Sequence, residues 1–177
     1  MMELKIREVR PSDTEDLEEL GRKSWIQGQE SFLTSEEVEV ARQSSEFHKS
    51  EEDIRKRTEK DGTFVLVAEK DGKVVGRIRM AWNGEADSFV DEDEVQLRSM
   101  FVHPDYWRQG VGTALAEEAF ARIPEGFSSF VVEVFEDNEN AVNFYRSLGF
   151  ETAGESVLGP EDIDILSRER SSLIMRK

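Results

Sequence analysis

Cysteine is absent from the 177 residues, and histidine occurs only as His48 and His103. Without thiols there is no disulfide framework, no cysteine nucleophile and no thiolate-bound zinc, and the absence fits a reducing compartment, so a cytoplasmic protein is expected. Two histidines far apart in sequence argue against a histidine-built centre, and no metal is expected. Long apolar runs are missing too. No window approaches the roughly 20 apolar residues that a membrane span needs, and the start MMELKIREVRPSD has no signal-peptide core. Basic charge is scarce, with 23 Lys and Arg against 39 Asp and Glu and a net charge of −16. That balance repels phosphate backbones, and without a local basic patch nucleic acid is not an expected partner. An acidic surface serves solubility, and where it lines a site it draws cations.

What is present reads as one domain over residues 1–177, with a mixed α/β fold. Lys5 to Val9 alternates and stops at Pro11, which predicts a strand, and Ser12 or Asp13 can cap a helix from Thr14 to about Trp25. From Ile26 to Ser50 apolar residues are thinly scattered, which predicts a mobile flap, followed by a charged helix over Glu51 to Lys60. Thr63 to Glu69 and Lys73 to Trp82 flank Asp71-Gly72, a hairpin signature. An acidic loop from Asn83 to Glu94 leads to a strand at Val95 to Val102, a helix at Thr113 to Arg122 and an apolar strand at Phe130 to Phe135. A short helix, Ala141 to Ser147, is stopped by Gly149; Phe150 to Thr152 and Ser172 to Met175 complete the pattern. The strand–helix–strand run in the middle predicts a parallel crossover at the centre of the sheet.

The run HPDYWRQGVGTAL, His103 to Leu115, places two glycines at a helix entrance. A helix start offers backbone N–H groups without partners and the positive end of the dipole, so Gly110-Val111-Gly112 suits an anion, above all a phosphate, although a plain tight loop has the same composition. The dinucleotide fingerprint fails because Leu115 stands where a third small residue is required, and the Walker pattern fails because Thr113 stands where lysine should be.

Leu97 to Leu115, LRSMFVHPDYWRQGVGTAL, resembles the acetyl-CoA-binding motif of the GNAT superfamily of N-acetyltransferases, in which a Val-x-Pro turn leads into R/Q-x-x-G-x-G/A. NENAVNFYRSLGF, Asn138 to Phe150, is similar to that family's second motif, N-x-x-A-x-x-F-Y-x-x-x-G-F. One departure stands out: Trp107 occupies the position three before Gly110, where Arg or Gln is usual, and Arg108 and Gln109 follow it.

The resemblance implies a mostly antiparallel sheet of six or seven strands, flanked by helices and splayed at the centre to hold coenzyme A. It implies transfer of an acetyl group from acetyl-CoA to a primary amine, with Met100, Phe101 and Val102 pairing with the pantetheine arm. Arg108, Gln109, Gly110, Val111, Gly112 and Thr113 would hold the pyrophosphate, with Arg108 the favoured charge partner; Asn138 would bond the pantetheine arm or organise water near the site, a role compatible with capping the next helix, and Ala141 belongs to the same coenzyme-binding set. Tyr145 would be the general acid that protonates the leaving sulfur. Val132-Glu133-Val134 looks like the L-E-V strand of ribosomal-protein and N-terminal amine acetyltransferases, which makes Glu133, acting through water, the first choice of base and Glu94 the second. Hydrophobic neighbours would raise the pKa of Glu133. The expected acceptor is a small-molecule, peptide or protein amine, cationic because both candidate acceptor segments are acid-rich. A homodimer is a possible assembly. The alternative is a catalytically silent acyl-CoA-binding sensor with the same fold.

Overall fold

A computed structural model describes residues 3–177. The chain begins with β1 (Lys5–Glu8) and continues through three helices, α1 (Thr14–Gln29), α2 (Ser35–Gln43) and α3 (Glu51–Thr58). A meander follows: β2 (Thr63–Lys70), β3 (Lys73–Ala81) and β4 (Glu94–Val102). Then come α4 (Val111–Ala121), β5 (Ser129–Phe135), α5 (Glu139–Ser147), β6 (Glu151–Leu158) and β7 (Arg170–Arg176).

All the strands join one seven-stranded sheet of order β1-β2-β3-β4-β5-β7-β6. Every pairing is antiparallel except β4 with β5, the two strands that α4 connects. Alternation along the strands divides the core. Leu66, Ile78, Met80, Leu97, Val132 and Val134 face α4 and α5, where they meet Leu115, Ala119, Val142 and Tyr145. Val65 and Val67 face the other way, onto Leu20 of α1 and Ile54 of α3. Each fully buried Leu or Ile of this set contributes roughly 1.5–3 kcal/mol of transfer free energy.

The parallel pairing is short. Only Glu94, Val95 and Gln96 of β4 find register partners on β5, at Ser129, Phe130 and Val131. Beyond them the strands part. The β3–β4 ladder slips between Arg79 and Met80, whose partners are Ser99 and Leu97, so Arg98 is an extra residue. A bulge of this kind sharpens strand twist and bends β4 where it leaves β5.

The expected flap is the main correction. Residues from Ile26 to Ser50 are ordered helix for most of their length: α1 runs to Gln29, α2 occupies Ser35–Gln43, and a 3₁₀ turn covers Ser45–Phe47. Gly28 does not end α1, and a Cβ placed there would already touch the Asn138 side chain at 3.5 Å. α2 lacks a broad apolar stripe because a buried ion pair, rather than apolar packing alone, holds it. A capping box begins it, with Thr34 Oγ1 accepting from the Glu37 N–H while Glu37 accepts from the Thr34 N–H. β6 is also longer than the Phe150 to Thr152 segment suggests. It is an edge strand exposed along most of its length, so no alternating pattern marks it.

Candidate active site

The turn after β4 is assembled from its own backbone. Val102 ends the strand, the His103 N–H donates to the Val75 carbonyl, and a 3₁₀ turn over Pro104–Tyr106 starts the descent to α4. The Trp107 indole Nε1–H donates to the Val102 carbonyl at 2.6 Å, closing the turn on itself. The Gln109 amide donates to the Asp105 carbonyl at 2.9 Å. Arg108 and Gly110 both lie in the left-handed region, at φ 59° and 82°.

Gly110 is the N-cap of α4, and no side chain caps the helix. The first turn holds no acidic residue. The amides of Val111, Gly112 and Thr113 precede the first intrahelical donor, Ala114, whose N–H reaches the Gly110 carbonyl at 3.0 Å. The result is a concave set of N–H groups at the positive end of a helix dipole, the arrangement that holds phosphate. Arg108, Gln109 and Thr113 are exposed around it, while Val111 is buried and anchors the helix to the core.

The glycines do different work. A Cβ at Gly110 would meet nothing within 4 Å, so glycine is required there by its backbone conformation. A Cβ at Gly112 would come within 3.1 Å of Met100 and 3.2 Å of Phe144. Gly112 lets α4 sit close to β4 and α5.

The parted strands lie next to this turn. Met100 and Val102 pack toward α4, while Phe101 packs on the opposite face with the clusters that contain Trp25 and Phe135. All three are partly exposed. Tyr145, on α5, is buried among Phe144 and Phe150, with ring centroids 5.4 and 5.8 Å away. Burial alone pushes its phenol well above the usual tyrosine range. Asn138 is the N-cap of α5: its Oδ1 accepts from the Ala141 N–H at 3.1 Å, and its Nδ2 donates to Gln29 Oε1 at 2.7 Å. The second bond ties the end of α1 to the start of α5. A cleft of about 710 Å³ opens beside it, between Gly28–Phe32 and Asp137–Asn140.

Glu133 lies on the α1–α2 face of β5, opposite to Tyr145. The Ser172 hydroxyl donates to its carboxylate at 2.6 Å. Burial raises its pKa, partly offset by that hydrogen bond and reinforced by the negative charge of Asp87. Glu94 is differently placed. It is 4% exposed, takes Arg176 Nε at 2.7 Å and the Asp91 N–H at 3.0 Å, and sits where β4 and β5 are still joined. Burial pushes its carboxyl up, but Arg176 and the amide outweigh it and hold the pKa below the ordinary value. The remainder of its acidic run, Asp91 to Asp93, is exposed.

The profile of the acetyltransferase (GNAT) family matches residues 24–150. The chain belongs to that family. An acetyltransferase of Yersinia pestis (strain Pestoides F) is 30% identical over 110 residues, spanning 62% of this chain and 72% of the relative. Solved structures share the fold of this GNAT protein. The PaiA N-acetyltransferase of Thermoplasma acidophilum, in complex with coenzyme A, superimposes with a TM-score of 0.74 at 21% identity, covering 99% of each chain. The ribosomal-protein-S18-alanine N-acetyltransferase of Escherichia coli gives a TM-score of 0.64 at 22% identity over 98% of this chain and 92% of its own. GNAT membership supports acyl transfer from an acyl-CoA, and the uncapped amides beside the parted strands are groups that fit such a donor. Among the described residues no helix is long and apolar enough to cross a membrane.

Three features of the site lay outside the sequence reading: the Trp107 bond to Val102, the Gln29–Asn138 tie and the Arg176 hold on Glu94. Trp107 was visible as the departure from the motif, but a lone residue does not reveal a bond back to the preceding strand. The other two join segments distant in sequence.

Proposed function

We propose that this chain transfers the acetyl group of acetyl-CoA to a primary amine by direct attack. The observation that carries the reading is the parting of β4 and β5 beside the uncapped start of α4; Tyr145 packs on one face of the sheet and Glu133 lies on the other. Bound acetyl-CoA would supply an activated thioester carbonyl. The amides of Val111, Gly112 and Thr113, assisted by Arg108, hold its pyrophosphate, and the free edge of β4 from Met100 to Val102 pairs with its arm.

Glu133 is the base. A carboxylate with a pKa raised by burial takes a proton from an incoming ammonium, through water, better than one locked to a guanidinium. Glu94 therefore serves as a structural clasp with Arg176. Tyr145 is the acid: a buried phenol stays protonated at neutral pH and can deliver its proton to a departing thiolate. Asn138 orders the start of α5 and so places Tyr145, which lies two turns along the helix. The acceptor approaches as an ammonium, drawn by Glu133 and the nearby Asp87 and Asp162, which is the sense in which it is cationic.

The test is thiol release from acetyl-CoA with a panel of primary amines, run beside thermal denaturation with and without coenzyme A. A coenzyme-dependent rise in Tm with amine-dependent thiol release is expected. Stabilisation without release for any amine would make the protein a silent acyl-CoA sensor, and no stabilisation would remove coenzyme binding.

A further inference from the structure

The face of the sheet that carries Glu133 also holds a cation, Arg77, with no carboxylate partner among the described residues. On β3, Gly76 looks toward α4, where a Cβ would meet Leu115 at 2.8 Å and Val111 at 3.0 Å. Arg77 and Arg79, at odd register to Gly76 and Ile78, therefore project to the other face, which α1 and α3 cover. Their partners across the ladder are Phe101 and Ser99 on β4.

Most buried or partly buried arginines of this acidic chain find a carboxylate; Arg77 and Arg57 are the exceptions among the described residues. Arg7 takes Asp13 and Glu69, Arg22 takes Glu18, Arg79 takes Glu85, Arg170 takes Glu37 and Arg176 takes Glu94. Arg77 takes none among the described residues. Its guanidinium carbon lies 5.6 Å from the centre of the Phe101 ring, and its best hydrogen bond is a long one, 3.4 Å to the Ser99 hydroxyl. It is partly buried, which makes an unmatched charge costly. Burial, then the positive charges of Arg57 and Arg79, lower its pKa to about 10, which leaves it charged at neutral pH.

The location matters as much as the charge. Phe101 and Ser99 belong to the part of β4 that has left β5, and Phe101 packs against the cluster that includes Phe135 of β5. Arg77 thus stands behind one lip of the gap, and Glu133 on the other. One lip lacks an anion and the other presents one.

We infer that the acceptor amine also carries a carboxylate, which Arg77 binds with help from Ser99 and the positive field of Arg57, while the ammonium end faces Glu133. This rests on the amine-acetylation reading above and narrows it: the substrate class is an amino carboxylate, such as an amino acid, in place of a polyamine. A planar carboxylate matches the guanidinium fork, and a singly charged group is repelled less by a chain of net charge −16 than a phosphate dianion would be. Binding it breaks no ion pair already present.

The test is thiol release with matched acceptors: arginine against agmatine, lysine against cadaverine, phenylalanine against phenethylamine, and spermidine alone. The amino acid of at least one pair should exceed its decarboxylated partner by about tenfold or more in kcat/KM, the scale of one charge-assisted hydrogen bond. Arg77→Met should erase that preference mainly through KM for the acceptor, with KM for acetyl-CoA unchanged, and Arg77→Lys should restore part of it. If Arg77→Met does not fold, the wild-type pairs and Arg77→Lys decide. Decarboxylated amines or spermidine used as well as the amino acids, or a preference that survives Arg77→Met, would overturn the inference alone. Turnover of no amine at all would overturn the acetyl-transfer reading, and this one with it.

Discussion

Glu37 of α2 and Arg170 of β7, 133 residues apart in sequence, form an ion pair sealed from water, with side chains 1% and 6% exposed. The Glu37 carboxylate also accepts from the Thr34 N–H, the Ser167 N–H and the Ser167 hydroxyl. Phe32 lies against the guanidinium, 5.5 Å from its ring centre. One carboxylate therefore holds α2, the turn before it and the segment leading into β7 in a single arrangement over the α1–α2 face of the sheet.

Removing one partner leaves a buried charge without compensation. Glu37→Gln is expected to destabilise the protein by about 3 kcal/mol or more, read from the midpoint of urea unfolding. Burial raises the Glu37 pKa, but the Ser167 and Thr34 amides, the Ser167 hydroxyl and Arg170 outweigh it and bring it down to about 2. A depressed folded-state pKa gives stability that is complete above the ordinary carboxyl value and is lost as pH falls toward the folded value. The gap between wild type and Glu37→Gln should be constant near neutrality and shrink between about pH 4.5 and pH 2. A gap that does not change over that interval would refute the assignment.

The glycines of the α4 entrance separate conformation from packing. Gly110→Val is expected to lower coenzyme A affinity by tenfold or more, because a β-branched residue resists φ near 82°. Gly112→Val should cost affinity and folding stability together, since Met100 and Phe144 crowd its Cβ. Strain at φ 82° costs Gly110→Val some stability as well, so the check is isothermal titration with coenzyme A and thermal unfolding of both variants; a Gly112→Val protein as stable as wild type, or a Gly110→Val protein of undiminished affinity, would contradict the geometry.

Tyr145→Phe keeps the ring packing with Phe144 and Phe150 and removes only the hydroxyl. The expected result is a loss of about 10²- to 10⁴-fold in kcat, with coenzyme A affinity and Tm close to wild type. Undiminished thiol release would assign Tyr145 to the core alone.

With Glu133 as the proposed base, its carboxyl would set the acidic limb of the pH–rate profile. With its pKa raised by burial, activity should fall on acidification at a pH above the ordinary carboxyl value of 4.5. Ser172→Ala removes a hydrogen bond that favours the ionised form, so it should move that limb further up. Glu133→Gln should abolish the limb and slow turnover by about 10²- to 10⁴-fold. A limb that stays in place in Ser172→Ala would point to another base.

The centre of the fold was legible because its signals are local. Asp71-Gly72 sits at positive φ in the β2–β3 turn, β4–α4–β5 forms the expected parallel crossover, and Gly110 marks the helix entrance. α4 begins two residues earlier than the pattern suggested because Gly110 itself takes the cap position and Val111 enters the core. The Ile26 to Ser50 stretch was opaque for a physical reason. Its order comes from Glu37 meeting Arg170, from Asn138 meeting Gln29 and from Phe32, Ala41 and Phe47 packing in the cluster that holds Phe135 and Ile165, contacts between distant segments that leave little periodicity behind. Arg77 was silent likewise, since a sequence shows a charge but not the missing partner.

The gap between β4 and β5 has a fixed depth. It begins where Gln96 and Val131 make the last pair, behind the Glu94–Arg176 clasp, and runs out to Val102 at the turn into α4. Six residues of extended chain, Leu97 to Val102, measure roughly 20 Å. On the proposed reading the strand would act as a ruler between the α4 entrance and the closed seam: a donor held there by its phosphates would reach the seam only with an arm of matching span, and a shortened thioester would fit the slot yet lack its anchor.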